Sequence, residues 1–111
     1  MDKLNILWTT TNKDNIFNVI SMYSITSMKQ GLWDKIRIIV WGGSVKLLAE
    51  DIQVQTVVNE MLNAGVDIVV CNTCSDRYDV TEKILSLGLK VEYMKESFTN
   101  LIKQDEKLLS L

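Results

Sequence analysis

Histidine and proline are both absent from this 111-residue sequence. Without histidine the chain has no side chain that ordinarily titrates near neutral pH. The commonest general base, the commonest metal ligand and every Ser-His or Cys-His catalytic pair are therefore excluded. Proline would number about five at average usage, and its absence removes any fold that depends on a cis-proline. Cysteine is scarce, with two residues. Long apolar runs are also missing: residues 38–41 and 68–71 are far too short to span a bilayer, so no membrane segment is expected. The first residues carry neither a basic n-region nor an apolar h-region, which points to a cytoplasmic setting in which the cysteines stay as thiols. The net charge is −2, with acidic and basic residues mixed along the chain, so the clustered basic face of a nucleic-acid binder is lacking.

What is present is an apolar fraction of 47% with 23% charged residues, the balance of a soluble globular protein. The length suits one domain, residues 1–111, able to bury roughly two-thirds of its unfolded surface without staples.

Along the chain, strand and helix periodicities alternate. Residues 3–9 read as a first strand ending in a polar turn at 10–14. Ile16, Val19, Ile20 and Tyr23 fall at i, i+3, i+4 and i+7, one apolar face of a helix that ends at Gly31. Residues 35–41 form a second strand with a continuous apolar end, as expected for burial on both faces, and Gly42-Gly43 stops it. Ser44 is placed to cap a short helix over 45–50. Asp51 or Gln53 opens a longer helix on which Val54, Val57, Val58, Met61 and Leu62 share a face, closed by Gly65. Residues 66–71 are a third strand. A capping-box-like Asp79-Val80-Thr81-Glu82 starts the next helix, which Gly88 ends. Residues 90–94 give a fourth strand, Phe98, Leu101 and Ile102 a short helix, and 107–111 a fifth strand at an edge. This alternation predicts an α/β protein, a three-layer α/β/α arrangement with a mostly parallel sheet of about five strands. In such sheets ligands bind at the edge where strands end in loops, here residues 9–12, 42–44 and 71–74.

Reactive chemistry concentrates in Cys71-Asn72-Thr73-Cys74. This spacing can close a disulfide, chelate a metal, or hold a nucleophile beside a resolving thiol. A thioredoxin-type oxidoreductase is disfavoured, because that family needs a cis-proline facing the pair. Metal binding is disfavoured because two thiolates and carboxylates such as Asp76 fall short of about four ligands unless two subunits share a site. No cofactor is expected. Cys71 ends a strand and Cys74 lies just before a helix, where the ionised form of a thiol is favoured, and Arg77 could add positive potential. The plainer reading is a strand-end cysteine packed as a small hydrophobe. Gly42, Gly43 and Ser44 could hold an anion on backbone amides, with Thr10, Asn12 and Asn72 lining the same edge. The loop lacks the lysine and glycine spacing of a P-loop, however, and a tight turn plus helix cap explains it more simply. Two classes thus stand side by side: a thiol carrier, and a small-molecule or anion-binding module in which the thiols are incidental. Nothing at this level makes the chain an enzyme.

Taken together, Val40-Trp41-Gly42-Gly43-Ser44, Cys71-Asn72-Thr73-Cys74-Ser75-Asp76 and Leu87-Gly88-Leu89-Lys90-Val91-Glu92-Tyr93-Met94 resemble the DsrE-like family of small sulfur-relay proteins, specifically a branch of stand-alone members with two cysteines after the third strand. The likeness covers nearly the whole chain. It implies a three-layer α/β/α domain, homo-oligomers often trimeric or hexameric, and a cysteine that passes persulfide sulfur between donor and acceptor proteins. Cys71 matches that cysteine, and Cys74 matches a second found in some branches. Met22, Met28 and Trp33, apolar residues beyond the main helix face, agree with an oligomer.

Overall fold

A computed structural model describes residues 2–111. Five strands, β1 (Lys3–Trp8), β2 (Lys35–Val40), β3 (Asp67–Cys71), β4 (Lys90–Glu92) and β5 (Leu108–Ser110), make one sheet in the order β4-β3-β2-β1-β5, with every pairing parallel. Between β1 and β2 runs α1, residues 13–30, built from Lys13–Asn15, a π-helical segment Ile16–Ser21, and Met22–Gln30. Two helices, α2 (Gly43–Glu50) and α3 (Ile52–Asn63), link β2 to β3. Two short ones, α4 (Asn72–Arg77) and α5 (Thr81–Ser86), link β3 to β4, and α6 (Lys95–Lys103) leads to β5. The expected α/β architecture is found.

The two faces of the sheet are unlike. Because side chains alternate across a strand, Ile6, Trp8, Ile38, Val40, Ile68 and Val70 point to one side, where they pack with Ile16, Ile20, Leu48, Val58, Met61 and Ile84 from the helices. Each such fully buried side chain contributes about 1.5–3 kcal/mol. Leu7, Ile39, Val69 and Cys71 point to the other side, under Met94, Phe98 and Leu101. Topology explains the imbalance. Right-handed crossovers that step one way, from β1 to β4, put their helices on one face, and the return from β4 to β5 puts α6 on the opposite one. Nine residues of α6 span about 13.5 Å, too short to roof a five-stranded sheet. The rest of that face carries charge, with Asp67 paired to Lys90, Arg37 and Lys35, and Arg37 also to Glu92 at 3.1 Å.

Several local details depart from the sequence reading. The π segment inserts extra residues per turn and rotates the buried face. Ile16 and Ile20 are buried as expected, but Ser21, Ser24 and Ser27 continue the buried side while Val19 and Tyr23 face outward with Met22. Ser44 is not a cap: Gly42, at φ 76°, precedes α2, and Ser44 lies inside its first turn. Asp79 is not a cap either. It takes a left-handed φ of 56°, and Val80 precedes α5 without a side-chain cap. Asp51 does cap α3, accepting from the Val54 N–H at 3.0 Å. The fourth strand stops at Glu92, and Met94 is the buried residue from which α6 starts.

Candidate functional site

The loops after β1, β2 and β3 meet at the carboxyl edge of the sheet, as parallel strands require. Trp8 ends β1 fully buried, its indole N–H donating to the Thr10 carbonyl at 2.9 Å. Thr10 Oγ1 accepts from the Asn12 N–H at 3.1 Å, and Asn12 Oδ1 accepts from the Asn15 N–H at 3.1 Å. Thr10 shapes the turn, and Asn12 caps α1. The Leu111 carbonyl accepts the N–H groups of Thr9 and Thr10, sealing the loop from the β5 side.

The loop after β2 is held in the same internal way. The Ser44 side chain is fully buried, and its hydroxyl shares its proton between the Trp8 carbonyl at 2.8 Å and the Trp41 carbonyl at 2.9 Å. It staples the ends of β1 and β2 and is turned away from solvent. Gly43 lies against Thr11, where an added Cβ would come 3.4 Å from the threonine methyl. Gly42 directs its N–H at Cys74 Sγ, 3.4 Å away.

Both cysteines are free thiols. Cys71 is the last residue of β3, with 2% of its surface accessible, among Ile39, Val69, Met94 and Leu101. Burial raises its pKa above the ordinary 9.0. The amide N–H groups of Cys74 and Thr73 pull it back, while the neighbouring Cys74 thiol pushes it further up. Cys74 does not precede a helix, as the sequence suggested, but sits in the first turn of α4, which begins at Asn72. It is half-buried and touches both core clusters. Arg77 ends α4, exposed, and is not among the groups acting on the Cys71 thiol.

A polar network behind the pair escaped the sequence reading. Ser75, fully buried, sets its Oγ 3.0 Å from the Asn72 carbonyl, 3.2 Å from Asn72 Oδ1 and 2.7 Å from Thr81 Oγ1, and Thr81 donates to Asp76 at 2.6 Å. Asn72 is thus engaged within α4, while Ser75 and Asp76 tie that helix to α5 through Thr81. The signal was the cluster of small hydroxyl and amide residues from 72 to 81, whose members prefer local backbone bonds. On the other side, Trp41 meets Phe98 edge to face, ring centres 5.0 Å apart, closing α6 over the sheet beside Cys71. Among the described residues no group of three or more histidine, cysteine or carboxylate ligands gathers, and no helix is long and apolar enough to cross a membrane.

A solved structure of a conserved protein of unknown function, BT1422 from Bacteroides thetaiotaomicron, superposes with a TM-score of 0.97 at 48% identity, covering 99% of this chain and 95% of that one. This chain belongs to the family of that protein. More distant structures match over the full length of both chains: YchN from E. coli, TM-score 0.70 at 15% identity, and MTH1491 from Methanobacterium thermoautotrophicum, a protein of unknown function, TM-score 0.75 at 14% identity. Those two share the fold alone, and that fold is the DsrE-like one. No protein-family model matches the sequence, and no curated protein matches it significantly.

Proposed function

We propose that this chain is a sulfur-relay protein of the stand-alone DsrE-like branch, which carries sulfane sulfur as a persulfide on the Cys71–Cys74 dithiol and exchanges it with donor and acceptor proteins in a reducing cytoplasm. The observation that carries this reading is the pair of free thiols one helical turn apart at the carboxyl edge of a DsrE-like sheet. Sulfur exchange between thiolates needs neither histidine nor metal, since the ionised thiol attacks a donor persulfide directly, and the chain has no histidine. The family resemblance assigns the load to Cys71.

The rival reading, an anion-binding loop at Gly42, Gly43 and Ser44, is weakened by the same geometry. The Ser44 hydroxyl is consumed by two carbonyls, the Gly42 N–H is directed at a sulfur, and Thr10 and Asn12 are spent on their own turn.

A homo-oligomer, trimer or hexamer, belongs to the proposal. The outward turn of α1 leaves Val19, Met22 and Tyr23 beside Leu109 and Leu111 in an apolar groove of about 520 Å³, with Met22 57% exposed. Apolar surface of this kind on a small protein marks an interaction site.

The test is incubation with a cysteine desulfurase and cysteine followed by whole-protein mass measurement. A gain of about 32 Da, one sulfur atom, that disappears when both cysteines are replaced by serine is the expected outcome. No gain, with a control sulfurtransferase loading normally, refutes the reading.

A further inference from the structure

The two thiols of the pair are not equivalent, and their order is the reverse of what the resemblance assigns. Cys71 closes β3 on the face roofed by α6, almost without accessible surface. Cys74, one turn on, is half-buried at the rim. Its sulfur accepts the Gly42 N–H at 3.4 Å, which fixes it at the mouth of the turn after β2. Attack on a persulfide brought by another molecule requires access. Of the two thiols, Cys74 has it and Cys71 does not.

We infer that Cys74 is the thiol that accepts incoming sulfane sulfur, and that Cys71 is the resolving thiol which discharges it. The inference rests on the sulfur-carrier reading above. In the first step the Cys74 thiolate attacks the outer sulfur of a donor persulfide, R–S–SH. The donor S–S bond breaks, R–S⁻ leaves, and Cys74 becomes Cys74–S–SH. In the second step Cys71, its proton passed to water, attacks Cys74 Sγ. A Cys71–Cys74 bond forms, the bond from Cys74 to the sulfane sulfur breaks, and hydrosulfide departs. Two thiols and one sulfane sulfur have become a disulfide and hydrosulfide, and an external dithiol reductant restores the pair. An acceptor that takes the sulfur before the second step receives it as sulfane sulfur; otherwise the site releases it as sulfide. Burial sets the delay. The raised pKa keeps Cys71 a thiol below its ordinary value of 9.0, so discharge quickens as pH rises.

The experiment loads wild type, Cys71→Ser and Cys74→Ala from the desulfurase and follows mass and sulfide release with time. The expected result is no adduct on Cys74→Ala and a persistent adduct of about 32 Da on Cys71→Ser. The wild-type adduct should decay to a species about 2 Da lighter than the starting protein, faster at higher pH. An adduct kept by Cys74→Ala and lost by Cys71→Ser overturns the order while leaving the carrier reading intact. No adduct on the wild type refutes the carrier reading, and the inference falls with it. Alkylation of the untreated native protein with iodoacetamide, mapped by peptide mass, needs no variant. Cys74 should react roughly tenfold or more faster than Cys71, and equal or faster labelling of Cys71 overturns the assignment.

Discussion

The Gly42 N–H points at Cys74 Sγ across 3.4 Å, tying the turn after β2 to the first turn of α4. Glycine is required there for backbone reasons. At φ 76° a Cβ would have open space but an unfavourable left-handed conformation, whereas at Gly43 the conformation is ordinary and the nearest atom is a methyl at 3.4 Å. Gly42→Ala should therefore destabilise the protein by about 1–2 kcal/mol in urea unfolding. Gly43→Ala should stay within about 0.5 kcal/mol, helped by alanine's better helix propensity at the start of α2. Equal costs at the two positions would contradict this account.

Ser44→Ala removes a buried hydroxyl that serves two carbonyls. The Trp8 carbonyl keeps the Trp41 N–H at 3.1 Å, so the loss falls mainly on Trp41. The expected cost is about 1–2 kcal/mol of stability, with sulfur loading unchanged. Loss of a ligand-induced rise in melting temperature without loss of stability would instead support an anion site.

Asp67 gives the acid limb of the stability curve its shape. Burial alone would raise its pKa, but the hydrogen bond and charge of Lys90, with Arg37 and Lys35, overcome that and hold it below the ordinary 3.8. A carboxyl depressed on folding stabilises the native state above its unfolded pKa, and that contribution is lost as pH falls through the lower folded value. Asp67→Asn should flatten the decline in stability below about pH 4. Denaturant midpoints across that range would show it, and an unchanged slope would exclude Asp67 as the source.

Met22→Glu places a charge in the groove between α1 and β5. If that groove is the contact between copies, light scattering should show the assembly falling to single chains while circular dichroism stays native. An unchanged mass would move the interface elsewhere.

The sheet was legible because its signals are local and redundant. Runs such as Ile38-Ile39-Val40 between glycine-marked turns leave little choice, and Asp51 announces α3 because a side chain, not tertiary context, does the capping. The π segment was illegible for the opposite reason. A 3.6-residue template assigns Val19 and Tyr23 to the core, yet the widened turn buries Ser21, Ser24 and Ser27 instead. Helix α4 was missed because Asn72, Thr73 and Ser75 are weak helix formers, and the turn is held by the bonds of Ser75 to Asn72 and to Thr81. The site was located from its cysteines. Which thiol is covered depends on α6, an element more than twenty residues further on, and no pattern around Cys71 encodes it.

The return crossover that leaves α6 alone on its face also orders events in time. Strands β1 to β4 are neighbours in sequence and in space, while Thr9 and Leu111 meet across 102 residues. Closing so long a loop is entropically the most demanding step, and the three residues of β5 are exposed once it is made. The α6–β5 segment should therefore be the last to dock and the first to release, which hydrogen exchange would show as amides faster than those of β2 and β3. Were that segment to lift, Phe98 and Leu101 would leave the face on which Cys71 packs, so the reach of this thiol to solvent would follow the lifetime of the closed roof rather than the static fold.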